Sequence, residues 1–182
     1  MLREEFTVPP EDLDRELDTL AAERPATPRA ADDGPRAFPG SVPRVGGLAT
    51  ASLLVRMGAW SLVLPLLKRL LPLPSLVRLM SGKGSGRRSD AREEQVVRSA
   101  RRVYRMRRPG SCLERSLLVY RYLSNANADP RLVIGVRRED SDVIGHAWVL
   151  VDGSPLYESS ASLELFSTVV EFAPDGSISS RL

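Results

Sequence analysis

A chain of 182 residues is long enough for one ordinary domain with extensions and short for two. Its hydrophobic share of 42 % is near the globular norm, and its net charge of +3 is gathered in clusters rather than spread. A single cysteine and a single histidine exclude an intrachain disulfide framework and make a Cys/His zinc cluster untenable.

The lone thiol fits a reducing cytosol, and the acidic N-terminus without an early apolar core does not read as a signal peptide. Within residues 1–47, Pro9 and Pro10 open one short helix. Glu11 and Asp12 occupy its first turn, and Leu13, Leu17 and Leu20 share a face. From Pro25 to about Gly47, Pro, Ala, Gly, Asp and Arg dominate, as in a flexible linker.

Residues 48–89 form a Leu/Arg-rich helical region. Leu53, Leu54, Met57, Trp60 and Leu64 recur at helical spacing, as do Leu66, Leu67, Leu70 and Leu71. Pro65, Pro72 and Pro74 are expected to break the region into two or three pieces. The uncharged piece Met57–Leu67 is about half the roughly 20 residues a spanning helix needs, which predicts no membrane span. Such a stripe suits core or a partner surface; a membrane-surface helix, with Lys68 and Arg69 beside leucines, is the alternative. Ser81–Ser89, glycine-rich and basic, reads as a loop.

Residues 90–182 carry the main domain. A helix is expected from Asp90, its candidate N-cap, to about Met106, with Glu93 and Glu94 in the first turn. Pro109 and Gly110 stop it. The cluster Arg98, Arg101, Arg102, Arg105, Arg107 and Arg108 suits a solvated helix face, an acidic partner or an anionic surface; no nucleic-acid motif accompanies it. The next helix starts at Ser111, where Ser111 and Glu114 have capping-box spacing and Leu113, Leu117, Tyr120 and Leu123 give a buried face. Cys112 therefore falls in a helical first turn.

After Pro130 the period changes. Arg131–Arg137 and Val143–Val151 read as short β-branched strands. Asp152-Gly153 is a hairpin turn, Leu156-Tyr157-Glu158 begins a return strand, and Ser167–Phe172 is a further strand before the turn Pro174-Asp175-Gly176. Helices followed by an antiparallel sheet define an α+β domain.

Cys112 and His146 carry the chemistry. A nucleophilic cysteine must be a thiolate, which the free N–H groups and positive dipole of a helix start favour. The same amides can hold an oxyanion. His146, in mid-strand, can face that helix start as general base, and a carboxylate one strand on can orient the imidazole. The structural alternatives are a buried apolar thiol and a packed histidine. Trp148, two positions along the strand from His146, shares its side of the sheet and reads as core.

Cys112-Leu113-Glu114-Arg115-Ser116-Leu117, Leu132-Val133-Ile134-Gly135-Val136, His146-Ala147-Trp148-Val149 and Val151-Asp152-Gly153 together resemble the transglutaminase-like cysteine protease of lasso-peptide biosynthesis. That family is similar to the C-terminal domain of the microcin-processing protein. The resemblance covers about residues 90–170. It implies a papain-like core, with a Cys-bearing helix packed on a small antiparallel sheet, and a site without cofactor or metal. It also implies leader removal from a ribosomally made precursor, in the cytosol, before macrolactam formation by an asparagine-synthetase-like enzyme. Its third residue, an aspartate about a dozen positions after the histidine, falls on Glu158; Asp152 is the other candidate acid. The region 48–80 resembles the helical front where a separate leader-binding protein is expected to engage. Acyl transfer or deamidation of glutamine, and peptide binding without catalysis, are the alternative functions.

Overall fold

The computed structural model describes residues 47–82, 84, 87–106, 112–140 and 142–181. The short helix expected within residues 1–24, the linker after it and the cap at Ser111 lie outside the described residues. Four helices precede a sheet: α1 (Gly47–Leu70), α2 (Leu73–Met80), α3 (Asp90–Met106) and α4 (Cys112–Ser124). The strands are β1 (Pro130–Glu139), β2 (Asp142–Val151), β3 (Ser154–Pro155), β4 (Ser167–Phe172) and β5 (Ile178–Arg181), with a short α5 (Ser160–Leu163) before β4. The chain is α+β, with an antiparallel sheet in the order β3-β2-β1-β4-β5.

One face of the sheet and the four helices share one hydrophobic core. Met57 and Leu64 of α1, Leu76 and Val77 of α2, Val96 and Val97 of α3, Leu117 and Leu118 of α4, and Leu132, Val149 and Val151 of the sheet are all buried in it. The join at residues 89 and 90 therefore lies within one core. A second, smaller cluster on the opposite sheet face holds Val133, Trp148 and Leu163, with Leu150 and Phe166 against it.

Two local expectations are corrected. Pro65 does not break the first helix, which runs continuously through it. Leu53, Met57 and Leu64 before the proline and Leu67 after it hold α1 to the core, and tertiary packing outweighs the missing hydrogen bond. Because it is unbroken, Ala49–Leu70 is also long and apolar enough to cross a membrane by length and composition alone, although Met57 and Leu64 tie it to the body of the protein. Finally, Asp90 is not the N-cap of α3. The first helical bonds come from Arg92 N–H and Glu93 N–H to the Ser89 carbonyl, so Ser89 caps and Asp90 is already helical.

The hairpin expected at Asp152-Gly153 forms, with both residues at positive φ, 53° and 78°. Its return strand is much shorter than expected. β3 stops at Pro155, which has no N–H to extend the ladder, and Leu156 donates one bond to the Val149 carbonyl before the chain leaves the sheet. That departure is what brings Glu158 back towards the middle of β2.

Candidate active site

Cys112 is the first residue of α4 and a partly exposed free thiol. Helix α4 is anchored on both sides. Glu114 forms an ion pair with Lys68 of α1 at 2.7 Å, and the buried Ser116 hydroxyl donates to the Ala147 carbonyl of β2 at 2.8 Å. Since β3 pairs with β2 only at Leu150 and Val151, most of the outer edge of β2 has no neighbouring strand in the described sheet. Ser116 serves that edge in place of one. It also fixes the Cys112 helix against the residue next to His146.

His146 sits opposite Gly135 of β1 in the sheet register. Alternation along β2 sends Val149 and Val151 into the helical core and His146 and Trp148 to the other face. The imidazole thus does not rise from the helix-covered face, as a simple placement opposite the helix start would have it. It packs against both the Trp148 ring, 5.9 Å away and nearly parallel, and the Phe166 ring at 5.1 Å, and those two rings lie 6.3 Å from each other. The close approach of Trp148 depends on Gly135, since a Cβ there would lie 2.9 Å from the indole and 2.8 Å from the Ser167 carbonyl.

The link between the imidazole and the Cys112 helix is Glu158. Its Oε1 stands 3.5 Å from His146 Nε2 and 2.7 Å from the guanidinium of Arg115, one turn after Cys112. The Arg115 guanidinium also lies over the Tyr157 ring at 5.5 Å, and Arg101 of α3 lies over the same ring at 5.2 Å. Burial raises the Tyr157 phenol to about 12, while the two arginines pull the other way. Its hydroxyl is buried with no hydrogen-bond partner among the described residues, as is Arg115 Nε.

The other candidate acid, Asp152, is placed elsewhere. It occupies the exposed β2–β3 turn, where Arg88 grips both of its oxygens, at 2.8 and 2.5 Å. The same guanidinium donates to the fully buried Glu93 at 2.6 Å, and both carboxylates raise the arginine above its ordinary value. This network staples the hairpin to the start of α3. Of the basic cluster, Arg98 pairs with Glu94 on its own helix, Arg101 covers Tyr157, and Arg102 and Arg105 face solvent.

Arg115, Ser116 and Phe166 were not assigned these contacts from sequence. Helical spacing could have drawn attention to Arg115 and Ser116, three and four residues beyond Cys112. Phe166 had no local signal. Among the described residues no group of three or more His, Cys, Asp or Glu is placed to hold a metal ion.

A thiol at a helix start, an imidazole on the packed strand and a carboxylate at the imidazole are the parts of a cysteine-nucleophile fold that works on acyl groups. The profile of the transglutaminase-like superfamily matches residues 53–171, from α1 through β4, and the chain belongs to that superfamily. Comparison with curated proteins and with solved structures gave no match.

Proposed function

We propose that the protein is a cytosolic cysteine peptidase that removes the leader from a ribosomally made lasso-peptide precursor. Membership of the transglutaminase-like superfamily supports peptidase or acyl-transfer chemistry at a cysteine. The observation that carries the site assignment is the Glu158 carboxylate at His146 Nε2, held by an arginine from the Cys112 helix. The lasso-peptide assignment rests on the resemblance of the four short motifs.

In this reading Glu158 at Nε2 leaves His146 Nδ1 to serve the thiol. The Cys112 thiolate attacks the carbonyl carbon at the leader–core junction, forming the S–C bond. His146 then gives its proton to the departing amine as the C–N bond breaks. Water hydrolyses the thioester, with His146 taking one of its protons, and the thiolate returns. The first amides of α4 stabilise both the thiolate and the oxyanion. A separate recognition protein presents the leader, and the freed core amine passes to an asparagine-synthetase-like macrolactam synthetase.

The test is a Cys112→Ala variant incubated with the cognate precursor and, separately, with the recognition protein added. Leader release by the wild type and none by the variant is the expected result. Cleavage by the variant at the wild-type rate would overturn the proposal. Superfamily membership also supports acyl transfer, and product mass separates the two: hydrolysis adds a water across a peptide bond, whereas transfer adds the acceptor amine and loses a small molecule.

A further inference from the structure

Helix α1 is apolar on both of its faces, and among the described residues only one is covered. Met57, Ser61 and Leu64 are buried, and Lys68 on the same side pairs with Glu114. On the other side Val55, Leu62, Leu66 and Leu70 stand 73, 63, 58 and 67 % exposed. At 100° per residue these four and Val63 fall within an arc of about 100°, roughly 22 Å long, with Ala59 in its middle. Isolated exposed leucines need no explanation, but an aligned stripe of this width does.

The borders of the stripe carry the second observation. Arg56 and Arg69, both exposed, fall on its two opposite edges. Residues 47–89 contain no aspartate or glutamate, while Arg56, Lys68, Arg69, Arg78, Lys83, Arg87 and Arg88 all lie within them. An apolar stripe edged by arginines and free of acidic side chains is the pattern of a helix lying in a lipid headgroup layer, where long cationic side chains reach the phosphates. A protein–protein interface has a mixed polar rim; among the described residues of α1 the charged side chains edging this stripe are all cationic.

We infer that the outer face of α1 docks on an anionic phospholipid surface, with Val55, Leu62, Leu66 and Leu70 entering the acyl boundary and Arg56 and Arg69 meeting the phosphates. The helix lies on the membrane and does not cross it. Crossing would strip Met57 and Leu64 from the core they share with α3 and α4. This inference stands apart from the peptidase reading, since it needs neither Cys112 nor His146.

Vesicle flotation of the full chain tests it, because aggregated protein does not float. The wild type is expected to rise with phosphatidylcholine–phosphatidylglycerol vesicles, to stay behind with phosphatidylcholine alone, and to be released by salt. Replacing Arg56 and Arg69 by Gln should weaken partition about fivefold for each arginine. The double variant Leu62→Glu, Leu66→Glu should lose more than about tenfold, with an unchanged thermal melt showing that it is folded. Failure of the wild type to float would overturn the inference and leave the face to a protein. Equal flotation on neutral vesicles, or wild-type flotation by the folded leucine variant, would overturn it too.

Discussion

Arg115 Nη2 lies 2.7 Å from the same Glu158 oxygen, Oε1, that stands 3.5 Å from His146 Nε2. The helix that bears the proposed nucleophile therefore holds the carboxylate that stands beside the proposed base. One guanidinium couples the two halves of the site, and Tyr157 supports that guanidinium from its ring face.

Arg115→Met is accordingly expected to disorder the base rather than to unfold the protein. A displacement of the imidazole by about 1 Å costs on the order of 10²-fold in turnover. The loss should fall on kcat more than on KM. It should be accompanied by a changed pH profile for alkylation of Cys112 by iodoacetamide, which needs no substrate. Arg115→Lys keeps the charge without the planar fork and is expected to lie between. An unchanged alkylation profile in Arg115→Met would show that the arginine does not act on the thiol–imidazole pair.

Glu158→Gln keeps the shape and removes the charge, and is expected to lower kcat by about 10²–10⁴-fold with the fold intact. Asp152→Asn is expected to leave kcat alone. It breaks an ion pair at an exposed turn and should cost about 1 kcal/mol in urea unfolding. The reverse outcome would move the acid from Glu158 to Asp152.

Gly135→Ala tests how tightly Trp148 and His146 are packed. The added methyl meets the indole at 2.9 Å and the Ser167 carbonyl at 2.8 Å, so the strand pair or the indole must shift. A loss of about 1–3 kcal/mol is expected, and turnover should fall with it, because Trp148 stacks on the imidazole. Wild-type stability and turnover together would show that the indole has room to move.

Tyr157 predicts the alkaline limb of stability. Its folded-state value is raised to about 12 by burial, above the ordinary tyrosine value of about 10. The buried neutral phenol thus contributes stability that is fully present below about pH 10 and is lost as pH rises towards 12. Tyr157→Phe should flatten that part of the curve. At neutral pH it should cost little, since the hydroxyl it removes is buried without a partner among the described residues. A variant with the same alkaline profile as the wild type would place the titration elsewhere.

Period and turn chemistry made much of the fold legible: the α3 and α4 helices, β1, β2 and β4, and the Asp152-Gly153 turn follow from local pattern alone. Pro65 and Asp90 misled because local preference was outweighed there, by core packing in one case and by Ser89 one residue earlier in the other. Pro155 was the overlooked signal. A residue without an N–H at the second position after the turn cannot carry the return strand far, and the chain's exit there places Glu158 at His146. The Arg88–Asp152 pair, the Phe166 ring on His146 and the Arg115 bridge join residues 64, 20 and 43 positions apart. No local pattern encodes such distances.

The double-sided helix α1 bears on how the protein can be handled. Its outer stripe invites aggregation, and the obvious remedy is to trim the chain to the region beginning at Asp90. That cut would strip Met57, Leu64, Leu76 and Val77 from the core and leave Val96, Val97 and Leu118 facing the gap. The loss of any one such side chain costs about 2–5 kcal/mol, against a total stability of roughly 5–15 kcal/mol for a typical domain. A better-behaved protein is therefore to be sought by repainting the outer face of α1 with polar side chains while keeping the helix whole.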